Sequence, residues 1–163
     1  MKLALKPSMI SFFKKYSVLA IVVVVSDRIT KAWALTACVK PYVVNSWFSC
    51  SLAFNRGISW SLFHSELAFS FAMVTVLVLA VTAMVAWHAW QGLREKRNIR
   101  GEVLVLAGAL SNVYDRFAYG GVVDFIALEY HGYCWPLFNI ADIAVVVGVI
   151  VMVYQIIRHE ARS

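Results

Sequence analysis

The sequence predicts a mainly α-helical, polytopic membrane protein: four transmembrane helices and a small extracytoplasmic β-rich lobe between helices one and two. Three observations lead there. Of the 163 residues, 61% are hydrophobic and 15% charged, with mean hydropathy +0.73; soluble domains run at about 45–50% apolar and about 25% charged. Four apolar stretches approach the roughly 20 residues that a helix rising about 1.5 Å per residue needs to cross a hydrocarbon core of about 30 Å. Basic residues collect on alternate connections between those stretches. The chain reads as a single membrane-embedded domain over residues 1–163.

Helix one is expected at about 12–35, "FFKKYSVLAIVVVVSDRITKAWAL", with Asp27, Arg28 and Lys31 near its C-terminal end. The lobe follows at about 36–66. "TACVKPYVVNSWFSCSLAFNRGISWSLF" is rich in β-branched and aromatic residues and is broken by Pro41 and Gly57, which suits short strands on a membrane surface. Helix two is expected at 67–87 and is apolar almost throughout. Helix three, 102–119, carries Asp115 and Arg116 near its end, and helix four, 138–157, opens on "FNIAD". Trp47, Trp60, Tyr133 and Trp135 suit the headgroup interface, where an amphipathic ring keeps one wet end.

Orientation follows from charge. Lys2, Lys6, Lys14 and Lys15 precede helix one; Arg94, Lys96, Arg97 and Arg100 fill the loop between helices two and three; Arg158 and Arg162 follow helix four. These ten of the 15 basic residues share one side of a four-span pattern, which the positive-inside rule places in the cytoplasm together with both termini. The net charge of +6 is therefore a topology signal. No basic face is long enough to track a phosphate backbone, so nucleic acid is not an expected partner.

Lys14 and Lys15 before "YSVLAIVVVV", followed by "LTAC" at 35–38, have the form of a signal peptide with a lipidated cysteine at Cys38. Asp27, Arg28 and Lys31 interrupt the run to Cys38 and three more spans follow, so this segment is read as a retained helix. Cys38, Cys50 and Cys134 all fall on the outer side, where disulfides form. One pair with a thiol left over is one reading; three buried or interfacial thiols is the one preferred here. The cysteines lack CxxC-type spacing, and with His64, His88, His131 and His159 scattered they make no metal site.

The four aspartates, Asp27, Asp115, Asp124 and Asp142, fall toward the outer ends of the expected helices or just beyond them. Ionisable groups at such depth cost several kcal/mol unless paired or facing a cavity, so function is their default reading. Asn112, Asp115, Arg116 and Tyr119 share one face of helix three, and Asn139 and Asp142 lie i, i+3 at the start of helix four. Asp115 beside Arg116 reads as a structural ion pair or cap, Asp27 as a partner of Arg28 or Lys31, and Asp142 alternatively as a cap of helix four. Asp124 and Asp142 have no Lys or Arg near them in sequence, none standing from 117 to 157. If the intervening loop folds back, two carboxyls that meet must share a proton, one acting as base and the other as acid. That is equipment for activating water against an amide.

"SDRITK", "FNRGISWSLF", "GALSNVYDRFAYGGVVDFI" and "FNIAD", in that order, resemble the motifs of lipoprotein signal peptidase (signal peptidase II), a membrane aspartic protease family, over nearly the whole chain. The resemblance implies that Asp124 and Asp142 are the catalytic pair. It implies that Asp27, Asn55, Asn112, Arg116 and Asn139 support the site or hold substrate, and that Asp115 is structural. Two positions depart from the pattern: Ser111 stands where Gly is usual, and Ile143 where a small polar residue often follows the second aspartate. The implied reaction removes the signal peptide from a prolipoprotein by cleavage before its diacylglyceryl-modified cysteine. It implies no metal and no cofactor, contact with membrane lipid, a monomer, and a multi-pass place in the bacterial inner membrane with the site near the outer leaflet. The rival classes are a proton-coupled transporter, which needs a polar track across the membrane, and a non-enzymatic membrane scaffold, which leaves the aspartates unexplained.

Overall fold

The computed structural model describes residues 7–57 and 68–160. Trp60, His64, Lys2, Lys6, Arg162 and the "ISWSLF" end of the lobe motif lie outside them. Eight elements follow in order: α1 (Pro7–Ala37), β1 (Tyr42–Val43), β2 (Phe48–Asn55), α2 (Ala68–Arg94), α3 (Arg100–Tyr119), β3 (Val122–Tyr130), β4 (Tyr133–Phe138) and α4 (Ile140–Glu160). All four expected helices are present, each longer than the apolar runs alone suggested. α2 runs to Arg94 because nothing in "HAWQGLR" breaks a helix before the turn at Lys96, where φ is 56°.

The strands form one antiparallel sheet of order β1-β2-β3-β4. This corrects the expected lobe, which was confined to 36–66. Half of the sheet comes from the segment between α3 and α4, because β3 and β4 pair across a two-residue turn. His131 and Gly132 both take positive φ there, 49° and 80°, as a turn that matches strand twist requires. Gly120, at φ 70°, ends α3 in the left-handed conformation and turns the chain directly into β3.

α3 is the central helix and packs against α1, α2 and α4. Its approach to α4 is close: a Cβ on Gly108 would collide with the Ala141 carbonyl, the residue beside Asp142. Small residues permit such approach where hydrocarbon surroundings supply little drive for helix association. Val23, Ala107 and Ala144 form the buried core where α1, α3 and α4 meet. The start of α1 meets the α2–α3 turn, where the Tyr16 hydroxyl lies 3.4 Å from both Asn98 Oδ1 and the Ile99 amide. Lys14, Lys15, Arg94 and Arg100 therefore gather at one end of the bundle.

α2 and α4 are each long and apolar enough to cross a membrane, at mean hydropathy 2.4 and 2.5. Outward faces throughout the bundle are hydrocarbon: Val18, Ile21, Val25 and Ile29 on α1, Val76, Val81 and Met84 on α2, and Val146, Ile150 and Ile157 on α4 are all exposed. Exposure of that extent is unusual for a soluble protein and normal for one facing lipid.

Candidate active site

Two polar layers lie where the C-terminal ends of α1 and α3 and the N-terminal end of α4 meet the sheet. The deeper layer is ionic. Lys31 Nζ is buried at 1% exposure and lies 2.9 Å from Asp27 Oδ2, 2.7 Å from Asp115 Oδ2 and 2.7 Å from Asn112 Oδ1. An ammonium has three N–H donors, and all three are directed. Arg28 reaches the same two carboxylates, Asp27 at 2.8 Å and Asp115 at 2.6 Å. Asp27 also accepts from the Ser111 hydroxyl at 2.7 Å and, through Oδ1, from the Ala141 amide in the first turn of α4 at 2.9 Å. Ser111, a departure from the family pattern, thus supplies a hydrogen bond to that network.

The expected Asp115–Arg116 pair does not form. Consecutive helical residues point in different directions, so Asp115 faces α1 while Arg116 faces the other way. Asp115 also accepts from the Val123 amide at 3.2 Å, beside Asp124. Arg116 donates to the carbonyls of Arg56 and Gly57 at the end of β2. The shared face of helix three is therefore divided: Asp115 inward to α1, Asn112 between the layers, Arg116 toward a cavity, and Tyr119 half exposed against the Phe54 ring.

The second layer holds the two acids. Asp124, on β3 and 2% exposed, accepts from Asn55 Nδ2 at 3.0 Å and from Asn139 Nδ2 at 2.6 Å. Asp142 accepts from Asn112 Nδ2 at 2.8 Å and from the Asn139 amide at 3.0 Å. Asn139 Oδ1 in turn accepts from the Asp142 amide at 2.9 Å, a reciprocal capping box. The capping reading of Asp142 is thus realised together with its place at the site.

Each of the three asparagines is oriented from behind. Lys31 holds the Asn112 oxygen, the Gly57 amide holds that of Asn55 at 2.9 Å, and the Asp142 amide holds that of Asn139. Every side-chain NH₂ is thereby turned toward a carboxylate. Asn139 touches both acids, and among the sequence-predicted residues it is the one that joins them.

Burial pushes the Asp124 carboxyl up to about 7, and the neighbouring Asp142 charge adds to the shift; hydrogen bonds from Asn55 and Asn139 and the charge of Lys31 oppose it. A carboxyl titrating near neutrality beside a second carboxyl can serve as an acid or a base. Both open onto a cavity of about 640 Å³. Asn55, Asn112, Arg116, Asp124 and Asp142 line its polar end, and Val78, Val81, Val105, Val145 and Ile143 give it hydrocarbon walls. From Asn112 to Val105 it descends roughly 10 Å along α3. Asp27 stands one layer behind, held in the ionic network.

A family model described as Signal peptidase (SPase) II matches residues 19–158. The chain belongs to the signal peptidase II family. It is accordingly an enzyme, a hydrolase of the aspartic-protease type from a family of bacterial membrane enzymes. Relatives named lipoprotein signal peptidase include one from Pseudoalteromonas atlantica, 32% identical over 87% of this chain and 88% of its own. Another, from Francisella tularensis subsp. novicida, is 34% identical over 91% of this chain and 95% of its own. A solved structure described as a bacterial membrane enzyme is 25% identical and superposes with a TM-score of 0.74 over 93% of each chain.

Two features of this family member escaped the reading of residues. Lys31 was read as a partner of Asp27 at i, i+4, and that pair forms; what escaped is that Lys31 also reaches Asp115 and Asn112 and so centres the ionic layer. The three-thiol reading is corrected by the Cys38–Cys50 disulfide, with Cys134 left free and exposed. Folding of β2 back over the end of α1 brings Cys38 and Cys50 together across 12 residues, which no local spacing signals.

Proposed function

We propose that this enzyme removes the signal peptide from prolipoproteins by cleaving before the diacylglyceryl-modified cysteine, with Asp124 and Asp142 as an aspartate dyad that activates water. The observation that carries this is the pair itself: one buried carboxyl and one half-buried carboxyl, joined through Asn139 and opening on one cavity. One carboxylate takes a proton from water as the water attacks the scissile carbonyl. The partner carboxyl hydrogen-bonds the carbonyl oxygen, and the proton taken up then passes to the leaving amine. The elevated Asp124 carboxyl suits the member that holds the shared proton near neutrality. Arg116 faces the cavity where substrate is placed, Asn55, Asn112 and Asn139 hold the two carboxyls, and Asp27 keeps the α4 N-terminus in register. The apolar walls fit the signal peptide's hydrocarbon side chains, and lipid anchoring brings the scissile bond to the membrane surface.

In this reading all four helices span the inner membrane, with both termini cytoplasmic. α1 and α3 fall short in apolarity because of Asp27, Arg28, Lys31 and Asp115, whose charges meet one another in the ionic layer and are thereby made tolerable at depth. The transporter reading is less well supported. Below Asn112 the cavity wall among the described residues is hydrocarbon apart from Thr82, whose hydroxyl donates to the Val78 carbonyl at 2.7 Å, so no relay continues from the acids.

Purified enzyme incubated with a diacylglyceryl-modified prolipoprotein should release the signal peptide, read as a size shift. Absence of cleavage by folded enzyme contradicts the assignment. Cysteine labelling at residues 98 and 131 should report opposite membrane faces, and labelling from one face at both contradicts the four-span topology.

A further inference from the structure

The pairing of β2 with β3 has two registers. Phe48, Ser49 and Cys50 stand opposite Leu128, Ala127 and Ile126, whereas Ala53, Phe54 and Asn55 stand opposite Asp124, Val123 and Val122. From Cys50 to Ala53 β2 takes three steps while β3 takes two, so one residue is bulged out at Ser51–Leu52. Side chains alternate between faces along a strand. The first register carried forward would set Leu52 against Asp124 and turn Asn55 to the opposite face. The bulge returns Asn55 to the face of Asp124, where its hydrogen bond is made.

Cys38, just past the end of α1, holds that bulge twice. Its sulfur is bonded to Cys50, the last residue before the bulge, and its carbonyl accepts from the Leu52 amide inside it at 3.1 Å. Both cysteines are 1% exposed and pack with Ala34 and with Phe125, the residue after Asp124. α1 is itself tied to α3 and α4 by Asp27, Arg28 and Lys31, so Cys38 is a fixed post.

We propose that the Cys38–Cys50 disulfide is the positioning clamp for the Asn55–Asp124 hydrogen bond, and that full cleavage activity requires the disulfide to be formed. The inference rests on the dyad reading of Asp124. Forming the bond removes two electrons and two protons from the two thiols; the acceptor is the disulfide of a thiol oxidoreductase, which becomes a dithiol. With the clamp open, only the ladder and the Leu52–Cys38 hydrogen bond hold the second register, and Asn55 leaves the face of Asp124 for part of the time. The ionised Asp124 then loses a donor while Asp142 from α4, Lys31 from α1 and Arg116 from α3 remain around it. The upper limb of the pH–rate profile should therefore move to higher pH.

Alkylation of the purified enzyme without reductant, followed by intact mass, should modify Cys134 alone; modification of all three cysteines overturns the proposal. In a Cys134→Ser background, Cys38→Ser/Cys50→Ser should lower kcat about 10- to 100-fold with little change in KM, the scale expected when a site group is misplaced. Asn55→Ala should give a comparable loss, and the combination no further loss, because both act through one hydrogen bond. Additive losses, or a lower Tm with kcat and pH profile unchanged, overturn the clamp. Should the serine variant fail to fold, phosphine reduction of the folded enzyme, with thiol titre followed by alkylation, gives the same readouts. Unmodified enzyme and Asp124→Asn are assayed alongside: an inactive unmodified enzyme or an active Asp124→Asn overturns the dyad reading and the clamp with it, whereas the clamp alone fails if these controls behave as expected and disulfide loss is silent.

Discussion

Lys31→Met tests the ionic layer most severely, because methionine matches the lysine side chain as far as Cε, with sulfur in place of one methylene, and lacks the ammonium. The substitution leaves Asp27 and Asp115, both fully buried, without the cation that lies 2.9 and 2.7 Å from them, and frees the Asn112 oxygen. Removing one partner of a buried ion pair costs about 3–5 kcal/mol. Here two carboxylates lose a partner, but Arg28 still holds one oxygen of each, so the same range is the expectation. Folded chains of this size have roughly 5–15 kcal/mol in hand, and each kcal/mol moves Tm by about 2–4 °C. Thermal unfolding in detergent, followed by tryptophan fluorescence, should show an apparent Tm about 10 °C lower. Adding Asp115→Asn should recover part of the loss, since it removes a charge left without its partner. A Lys31→Met variant within about 2 °C of the unmodified protein would refute the reasoning.

Two further outcomes follow from the geometry. Asp124 has its carboxyl raised from 3.8 to about 7, so its contribution to stability is complete below its unfolded value and is lost as pH rises through about 7. Tm should consequently fall between pH 5 and pH 8 for the unmodified protein and fall less for Asp124→Asn, with a ceiling of about 3 kcal/mol over that window; equal slopes for the two proteins contradict the assigned shift. Gly108→Val should sharply reduce the monodisperse fraction on gel filtration, because the added atoms would collide with the Ala141 carbonyl and push α4 and Asp142 away from α3; a well-folded, active variant contradicts that close contact.

α2 and α4 were legible as long apolar runs. α1 and α3, whose runs are broken by charges near their ends, were legible from the apolar residues before those charges and from the alternation of basic residues, signals that need no knowledge of the tertiary fold. The candidate acids stood out for a related reason: Asp124 and Asp142 stand in sequence without counter-ions, and the structure gives them amide donors instead. What escaped depends on contacts distant in the chain. Asp115 finds its cations 87 and 84 residues earlier, at Arg28 and Lys31, so the adjacent Arg116 was a false partner. The sheet was only half anticipated because "DFIALEYHGYCWPLF" alternates weakly and its turn, His-Gly, is a less familiar form of the positive-φ pair. The disulfide and the bulge beside it arise only when β2 lies across the end of α1, and neither leaves a local mark.

The dyad is tested most directly by single-turnover cleavage of a diacylglyceryl prolipoprotein by Asp124→Asn and Asp142→Asn, with substrate binding measured separately. An amide nearly preserves the shape of each side chain but cannot exchange the shared proton. Each variant should bind substrate and lose at least the roughly 10²–10⁴-fold that general acid–base catalysis supplies, and the double variant should be scarcely worse, because either change already disables the unit. Either single variant retaining more than about a hundredth of the unmodified rate would contradict the aspartate mechanism.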